Sequence, residues 1–310
     1  MIVVVAPGQG SQSPGFLAPW LELDGARERL EGYGEAAGVD LVAHGTVSDA
    51  DTIRDTAIAQ PLIVAASLLS LAALETELAA VAAPRPGGIA GHSVGEIAAL
   101  VGAGVLDAAG GMHLVGVRGR AMAAAASAAE PTGMSAIIGG DEGEIVGRLA
   151  ELDLTPANMN GAGQIVAAGA LDALAALAAA PPAGTRVIPL QVAGAFHTRF
   201  MSPAVAALRD AAASLTPADP TVELWTNRDG SIVTSGAEAL EALIGQVASP
   251  VRWDRCMAGF ADAGVTGIIE LTPAGTLVGL AKRALKGVPT VAVKTPEDLA
   301  SAVALIEEAA

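Results

Sequence analysis

Apolar residues along the chain gather into two kinds of run, short continuous ones and longer helix-like ones. Ile2-Val3-Val4-Val5-Ala6 is continuous and β-branched and ends in Pro7-Gly8-Gln9-Gly10, which predicts a strand covered on both faces. Residues 61–80 predict a helix opened by Pro61, a favoured first-turn position. The brief apolar stretch Gly88-Ile89-Ala90 leads into Gly91-His92-Ser93-Val94-Gly95. It is followed by a helix from Glu96 to Gly102 and another, N-capped by Asp107, to about Ala126.

The pattern changes between 131 and 190. Met134–Ile138 predicts a strand and Gly143–Leu152 a helix. Leu154–Asn158 and Gln164–Ala168 predict strands flanking an Asn160-Gly161 turn. A helix over Leu171–Ala180 and a strand over Arg186–Leu190 complete a β-α-β-β-α-β order, the ferredoxin-like arrangement. Strands then resume at Val222–Trp225 and Thr266–Leu271, with helices at Thr276–Leu285 and Glu297–Glu308. The organisation expected is an α/β domain of residues 1–128 and 191–310, interrupted by a ferredoxin-like subdomain of residues 129–190.

Composition narrows the classes. With 310 residues, 52% of them hydrophobic and 16% charged, the chain is not disordered. Its 17 Lys and Arg against 33 Asp and Glu give a net charge of −16, which argues against nucleic acid as a partner. The single cysteine, Cys256, excludes an intramolecular disulfide framework and a cysteine-based zinc site; no metal is expected. The longest strongly apolar stretch, Leu62 to Leu74, contains Ser67 and Ser70 and falls short of the ~20 residues of a membrane span. It predicts a buried core helix. No Lys or Arg precedes Arg27, so a signal-peptide n-region is not expected, and the protein is expected to be cytoplasmic and free of membrane.

Gly91-His-Ser-Val-Gly95 fits G-x-S-x-G, in which a tight strand-to-helix turn projects a serine at a helix N-terminus. The bland alternative is a glycine-rich strand-helix loop. A serine nucleophile needs a base, and the chain has four histidines: His44, His92, His113 and His197. His92 adjoins Ser93, but neighbouring side chains in such a turn diverge. His44 and His113 have structural or solvated defaults. His197 follows the end of the inserted segment, and no Asp or Glu lies between Pro181 and Arg209. A Ser-His dyad with its imidazole held by a backbone carbonyl is therefore expected. The Gly8-Gln9-Gly10 turn lacks the third glycine of a dinucleotide fingerprint, Ser13 standing there. Its Gln9 amide can serve the same oxyanion as the Val94 amide. Arg118 lies between Leu114 and Met122 on the apolar stripe of its helix, where a cation needs an anion; a structural salt bridge is the alternative.

These features resemble the malonyl-CoA:acyl carrier protein transacylase family, which includes the acyltransferases of fatty acid and polyketide synthesis. The matching stretches are Pro7-Gly-Gln-Gly-Ser-Gln12, Gly91-His-Ser-Val-Gly-Glu96, Val117-Arg-Gly-Arg120, Asn158-Met-Asn160 with Gln164, Ala195-Phe-His-Thr198, Gln246 and Pro250-Val-Arg-Trp253. Two departures stand out: Thr272-Pro273-Ala274 replaces Gly-Pro-Gly, and Gly161-Ala162 replaces Ser-Pro. The resemblance implies an α/β-hydrolase-like large domain around the ferredoxin-like insert. It implies a Ser93 nucleophile, a His197 base oriented by the Gln246 carbonyl, and an oxyanion hole from the Gln9 and Val94 amides. Arg118 is assigned to the malonyl carboxylate, with Phe196 and Asn160 beside the substrate. The substrates implied are malonyl-CoA and acyl carrier protein, with no bound cofactor. A serine thioesterase or esterase built on the same turn is the nearest alternative. Lys282, Arg283 and Lys286, expected on one helical turn, are candidates for carrier-protein contact or simply a solvated helix end.

Overall fold

The computed structural model describes residues 1–128 and 130–309; the domain limits placed at residues 129 and 310 fall outside the described residues. Two sheets organise the chain. The first is fully parallel, with strands β1 (Ile2–Ala6), β2 (Gly88–Gly91), β7 (Glu223–Trp225), β8 (Gly267–Glu270) and β9 (Thr290–Ala292) in the order β7-β2-β1-β8-β9. β1 is central and buried along its whole length. Its alternate residues feed two cores: Ile2, Val4 and Ala6 join the larger, while Val3 and Val5 pack with Trp225, Trp253 and Phe260 on the opposite face. An unbroken apolar run is what a strand with two covered faces requires.

The second sheet is antiparallel, with β3 (Thr132–Gly139), β4 (Thr155–Gly161), β5 (Gln164–Ala170) and β6 (Thr185–Pro189) in the order β4-β5-β3-β6. Helices Glu142–Glu151 and Leu171–Ala179 cover one face, closing a core of Ile137, Ile145, Leu149, Met159, Ile165, Leu174 and Leu177. From the other face Met134, Ala157, Val166 and Ala168 join the larger core. The chain is thus α/β, with a ferredoxin-like antiparallel unit beside the parallel sheet. β4 is tied to the larger part by a short ladder, Met159 N–H donating to the Val251 carbonyl (2.9 Å) and Val251 N–H to that of Ala157 (2.9 Å).

Three local expectations are corrected. The long helix begins at Thr56, not Pro61, and runs to Ala80. Asp55 caps it by accepting the Ala57 N–H at 2.8 Å, so Pro61 sits inside, forgoing one backbone hydrogen bond. The helix is long and apolar enough to cross a membrane by composition, but every residue from Ala59 to Ser70 is buried within the protein. A helix that is apolar all round belongs in a core or in a membrane, and here the surrounding helices cover it. The hairpin turn is Ala162-Gly163 rather than Asn160-Gly161: β4 continues to Gly161, paired with Gln164. Register shifts within β4 displace the turn, and Ala162 and Gly163 adopt φ of +48° and +74°, the left-handed pair of a two-residue hairpin loop. Lys282 and Arg283 lie in the last turn of helix Thr276–Ala284, and Lys286 lies beyond its end.

Candidate active site

The turn from β2 into helix Gly95–Gly102 holds Ser93 at φ +54°. Only glycine fits two residues to either side of it. A Cβ at Gly91 would collide with the Gly95 backbone, and one at Gly95 with the Ala6 carbonyl. The G-x-S-x-G spacing is therefore a packing requirement of the strand-to-helix turn and not an accident of composition. Asn227, just after β7, braces the turn from below. Its Oδ1 accepts the Ser93 N–H at 2.7 Å and its Nδ2 donates to the Gly91 carbonyl at 2.6 Å.

His197, also left-handed at φ +60°, brings Nε2 to 2.7 Å from Ser93 Oγ. Its Nδ1 faces the Gln246 carbonyl at 2.8 Å. A carbonyl only accepts, so Nδ1 carries the proton and Nε2 presents its lone pair to the serine hydroxyl. Burial lowers the His197 pKa to about 3, helped by the positive Arg118 and by His92, against a smaller opposing effect of the Gln246 carbonyl. The imidazole is neutral and ready to accept a proton across the physiological range.

Arg118, on helix Ala108–Ala128, is fully buried. Nη1 donates to Gln60 Oε1 at 2.7 Å, and Nη2 donates to Gln246 Oε1 at 2.9 Å while lying 3.4 Å from Ser93 Oγ. It meets two neutral amides instead of an adjacent carboxylate. Glu96, one turn beyond Ser93, is the nearby acid and is itself buried. Burial raises the Glu96 pKa to about 7 and lowers that of Arg118 to about 10, each offset in part by the charge of the other.

The cleft before Ser93 and His197 is narrow. Gln9, Gln60, Val94 and Met122 form one side, and Met134, Asn158, Val166, Leu190, Val192 and Phe196 the other. Among the described residues neither the Gln9 nor the Val94 amide has a hydrogen-bond acceptor, so both remain available to a developing negative charge. Asn160 departs from expectation. Its Oδ1 lies 2.9 Å from His92 Nε2 and its Nδ2 donates to Gln164 at 3.0 Å, behind the cleft. The register shifts within β4 break its alternation and give the cleft Asn158 instead. Lys282, Arg283 and Lys286 are exposed. The helix that carries Lys282 and Arg283 begins near the Gln9 loop, where Thr276 Oγ1 lies 2.8 Å from Ser11 Oγ.

Sequence reasoning missed Gln60 and Asn227 and gave Glu96 no role. The position of Asn227 at the carboxyl end of a parallel strand, where ligands and site residues gather, was the available signal. Among the described residues no three His, Cys, Asp or Glu side chains converge as a metal site would require.

The sequence matches the acyl transferase domain family over residues 3–302. It is 54% identical over 301 residues to the malonyl CoA-acyl carrier protein transacylase of Mycobacterium tuberculosis, spanning 96% of this chain and 98% of that one. The crystal structure of MCAT from the same organism superposes with a TM-score of 0.94 at 52% identity, covering 97% of this chain and 99% of that chain. A malonyl-transacylase solved in complex with its type II PKS acyl-carrier protein superposes with a TM-score of 0.88 at 30% identity, covering 98% and 99% of the two chains.

Proposed function

The chain belongs to the acyl transferase family, and from that premise we propose how its residues carry a malonyl group from malonyl-CoA to the thiol of an acyl carrier protein. Ser93 is the nucleophile. As its Oγ attacks the thioester carbonyl, its proton passes to His197 Nε2 over the 2.7 Å contact. The carbonyl oxygen becomes an oxyanion, held by the Gln9 and Val94 amides; one such donor is typically worth about 3–4 kcal/mol. Collapse breaks the C–S bond, and the CoA thiolate leaves with the proton from the imidazolium. The phosphopantetheine thiol of the carrier then gives its proton to His197 and attacks the malonyl-serine ester; as the C–O bond breaks, the imidazolium returns the proton to Ser93 Oγ and the hydroxyl is regenerated. The Gln246 carbonyl takes the place of a triad acid by fixing the imidazole tautomer. CoA enters as part of the substrate and no bound cofactor is required; the cytoplasm is the proposed compartment.

The observation that carries this reading is a fully buried guanidinium within 3.4 Å of the serine oxygen. A fork of parallel N–H donors matches a carboxylate, so Arg118 receives the free carboxylate of the malonyl group, with Phe196 against the acyl chain. Lys282, Arg283 and Lys286 receive the carrier. The test is intact-protein mass spectrometry after mixing with malonyl-CoA, followed by digestion. A malonyl adduct on Ser93 that passes to a carrier thiol is expected. Rapid loss of the adduct to water without an acceptor would instead identify a hydrolase.

A further inference from the structure

Glu96 has no part in the acyl-transfer steps above, yet it lies buried at the centre of the polar network beneath Ser93. Its Oε1 accepts the Asn227 N–H at 2.9 Å and its Oε2 accepts a hydrogen bond from Gln246 Nε2. The same Gln246 amide nitrogen reaches the Ser93 carbonyl and Asn227 Oδ1, both at 3.1 Å. The orientation of Gln246 is therefore fixed: acceptors surround its nitrogen, and its oxygen is left for Arg118 Nη2. Because an amide can turn over, exchanging oxygen and nitrogen, what holds it matters. The anion is the strongest of those acceptors.

We propose that Glu96 is a positioning residue for acyl selection: as a carboxylate it holds the Gln246 amide in the orientation that keeps Arg118 beside Ser93. This inference rests on the assignment of Arg118 to the malonyl carboxylate. Protonation undoes the arrangement. Besides the Asn227 and Gln246 donors, the Thr226 hydroxyl reaches Glu96; a proton on the oxygen that faces Gln246 is satisfied when that amide turns its oxygen toward it. That turn removes the acceptor from Arg118 Nη2 and loosens the guanidinium. An acetyl group, which carries no charge for Arg118 to meet, is indifferent to the change.

Other groups around Glu96 do not titrate in the same range. Arg118 from helix Ala108–Ala128 stays protonated, its pKa lowered only to about 10. Cys256 from helix Trp253–Asp262 stays a thiol because burial raises its pKa. His197, across Ser93, stays neutral at any pH well above 3. Gln246 and Asn227 do not ionise. Burial places Glu96 itself near 7.

The experiment measures kcat/KM for acylation of the wild-type enzyme by malonyl-CoA and by acetyl-CoA from pH 5 to 9. The ratio of the two cancels titration of the CoA phosphates, and kcat/KM reports groups of the free enzyme. Malonyl preference should fall about ten- to a hundredfold as pH drops through about 7, the equivalent of losing one hydrogen bond to a charged group. Glu96→Gln should show a reduced preference at every pH and no step near 7, with its melting temperature retained. A flat wild-type ratio would overturn the proposal, as would a Glu96→Gln variant with equal losses toward both acyl groups and a lowered melting temperature. If neither thioester labels Ser93 at pH 8, it is the acyl-transfer reading itself that fails.

Discussion

The two sides of the cleft are made from different materials. On the parallel-sheet side, the reactive groups are held by backbone geometry and by amides packed out of water: Ser93 at a strand-helix turn, Arg118 between Gln60 and Gln246, Asn227 under the turn. On the antiparallel-sheet side, Met134, Val166, Leu190 and Val192 offer apolar surface with Asn158 among them. The first side can distinguish charge, because a buried polar group left unpaired costs far more than an exposed one. The second, Asn158 apart, distinguishes shape and apolar area. Choice of acyl group therefore belongs to one side, and grip on whatever bears that group to the other.

The largest effect that would break this division is loss of the reactive pair. Ser93→Ala should abolish the acyl-enzyme, and His197→Ala should slow its formation by about four orders of magnitude, with the double variant little worse than either alone. Mass spectrometry of malonyl-CoA-treated protein checks this. Persistent labelling of the Ser93→Ala protein would move the nucleophile elsewhere.

Next comes charge recognition. Arg118→Ala leaves the malonyl carboxylate desolvated and unpaired, at a penalty of roughly 3–5 kcal/mol, equivalent to about 10²- to 10³-fold or slightly more in kcat/KM. Acetyl-CoA should be spared. Equal losses for both substrates with a reduced melting temperature would make Arg118 a structural residue instead.

A smaller effect is expected at the exposed cations. Lys282→Glu with Lys286→Glu should raise KM for the carrier protein about tenfold at low salt, and less at high salt, while loading from malonyl-CoA is unchanged. An unaltered KM at low salt would remove the patch from the docking surface. Smallest is the apolar side: Leu190→Ser with Val192→Ser should raise KM for malonyl-CoA and acetyl-CoA by the same factor, about threefold, from lost apolar contact. If the two substrates respond unequally, the division of labour between the sides does not hold.

What the sequence disclosed follows the range of the forces involved. The Ser93 turn was legible because its glycines are demanded by contacts within a few residues. His197 was legible by elimination among four histidines, and Arg118 because a cation on an apolar stripe is anomalous. Gln60 and Asn227 were not, because an amide acquires meaning only from partners on distant segments. Even Glu96, visible beside Ser93, owes its environment to Gln246 and Asn227. Local errors had local causes: the Asp55 cap starts its helix ahead of Pro61, and the register shifts in β4 move the turn and hand the cleft Asn158 where Asn160 was expected.

The central position of β1 sets a timetable for synthesis. One edge of the strand waits for β2, but the other pairs with β8, and the Met1 amino group meets Thr266 across 265 residues. At roughly 5–20 residues per second on a ribosome, that edge stays open for about 15 to 50 s. Through the same interval the long apolar helix lacks part of its cover, since helix Leu299–Glu308 contributes to the same core. The ferredoxin-like unit waits less, because its four strands form their sheet with one another and only the short ladder from β4 to Val251 is added later. A nascent chain would thus carry one nearly finished sheet beside one that cannot close until β8 and β9 emerge, and that unclosed strand edge is where misassociation, or a chaperone, would first take hold.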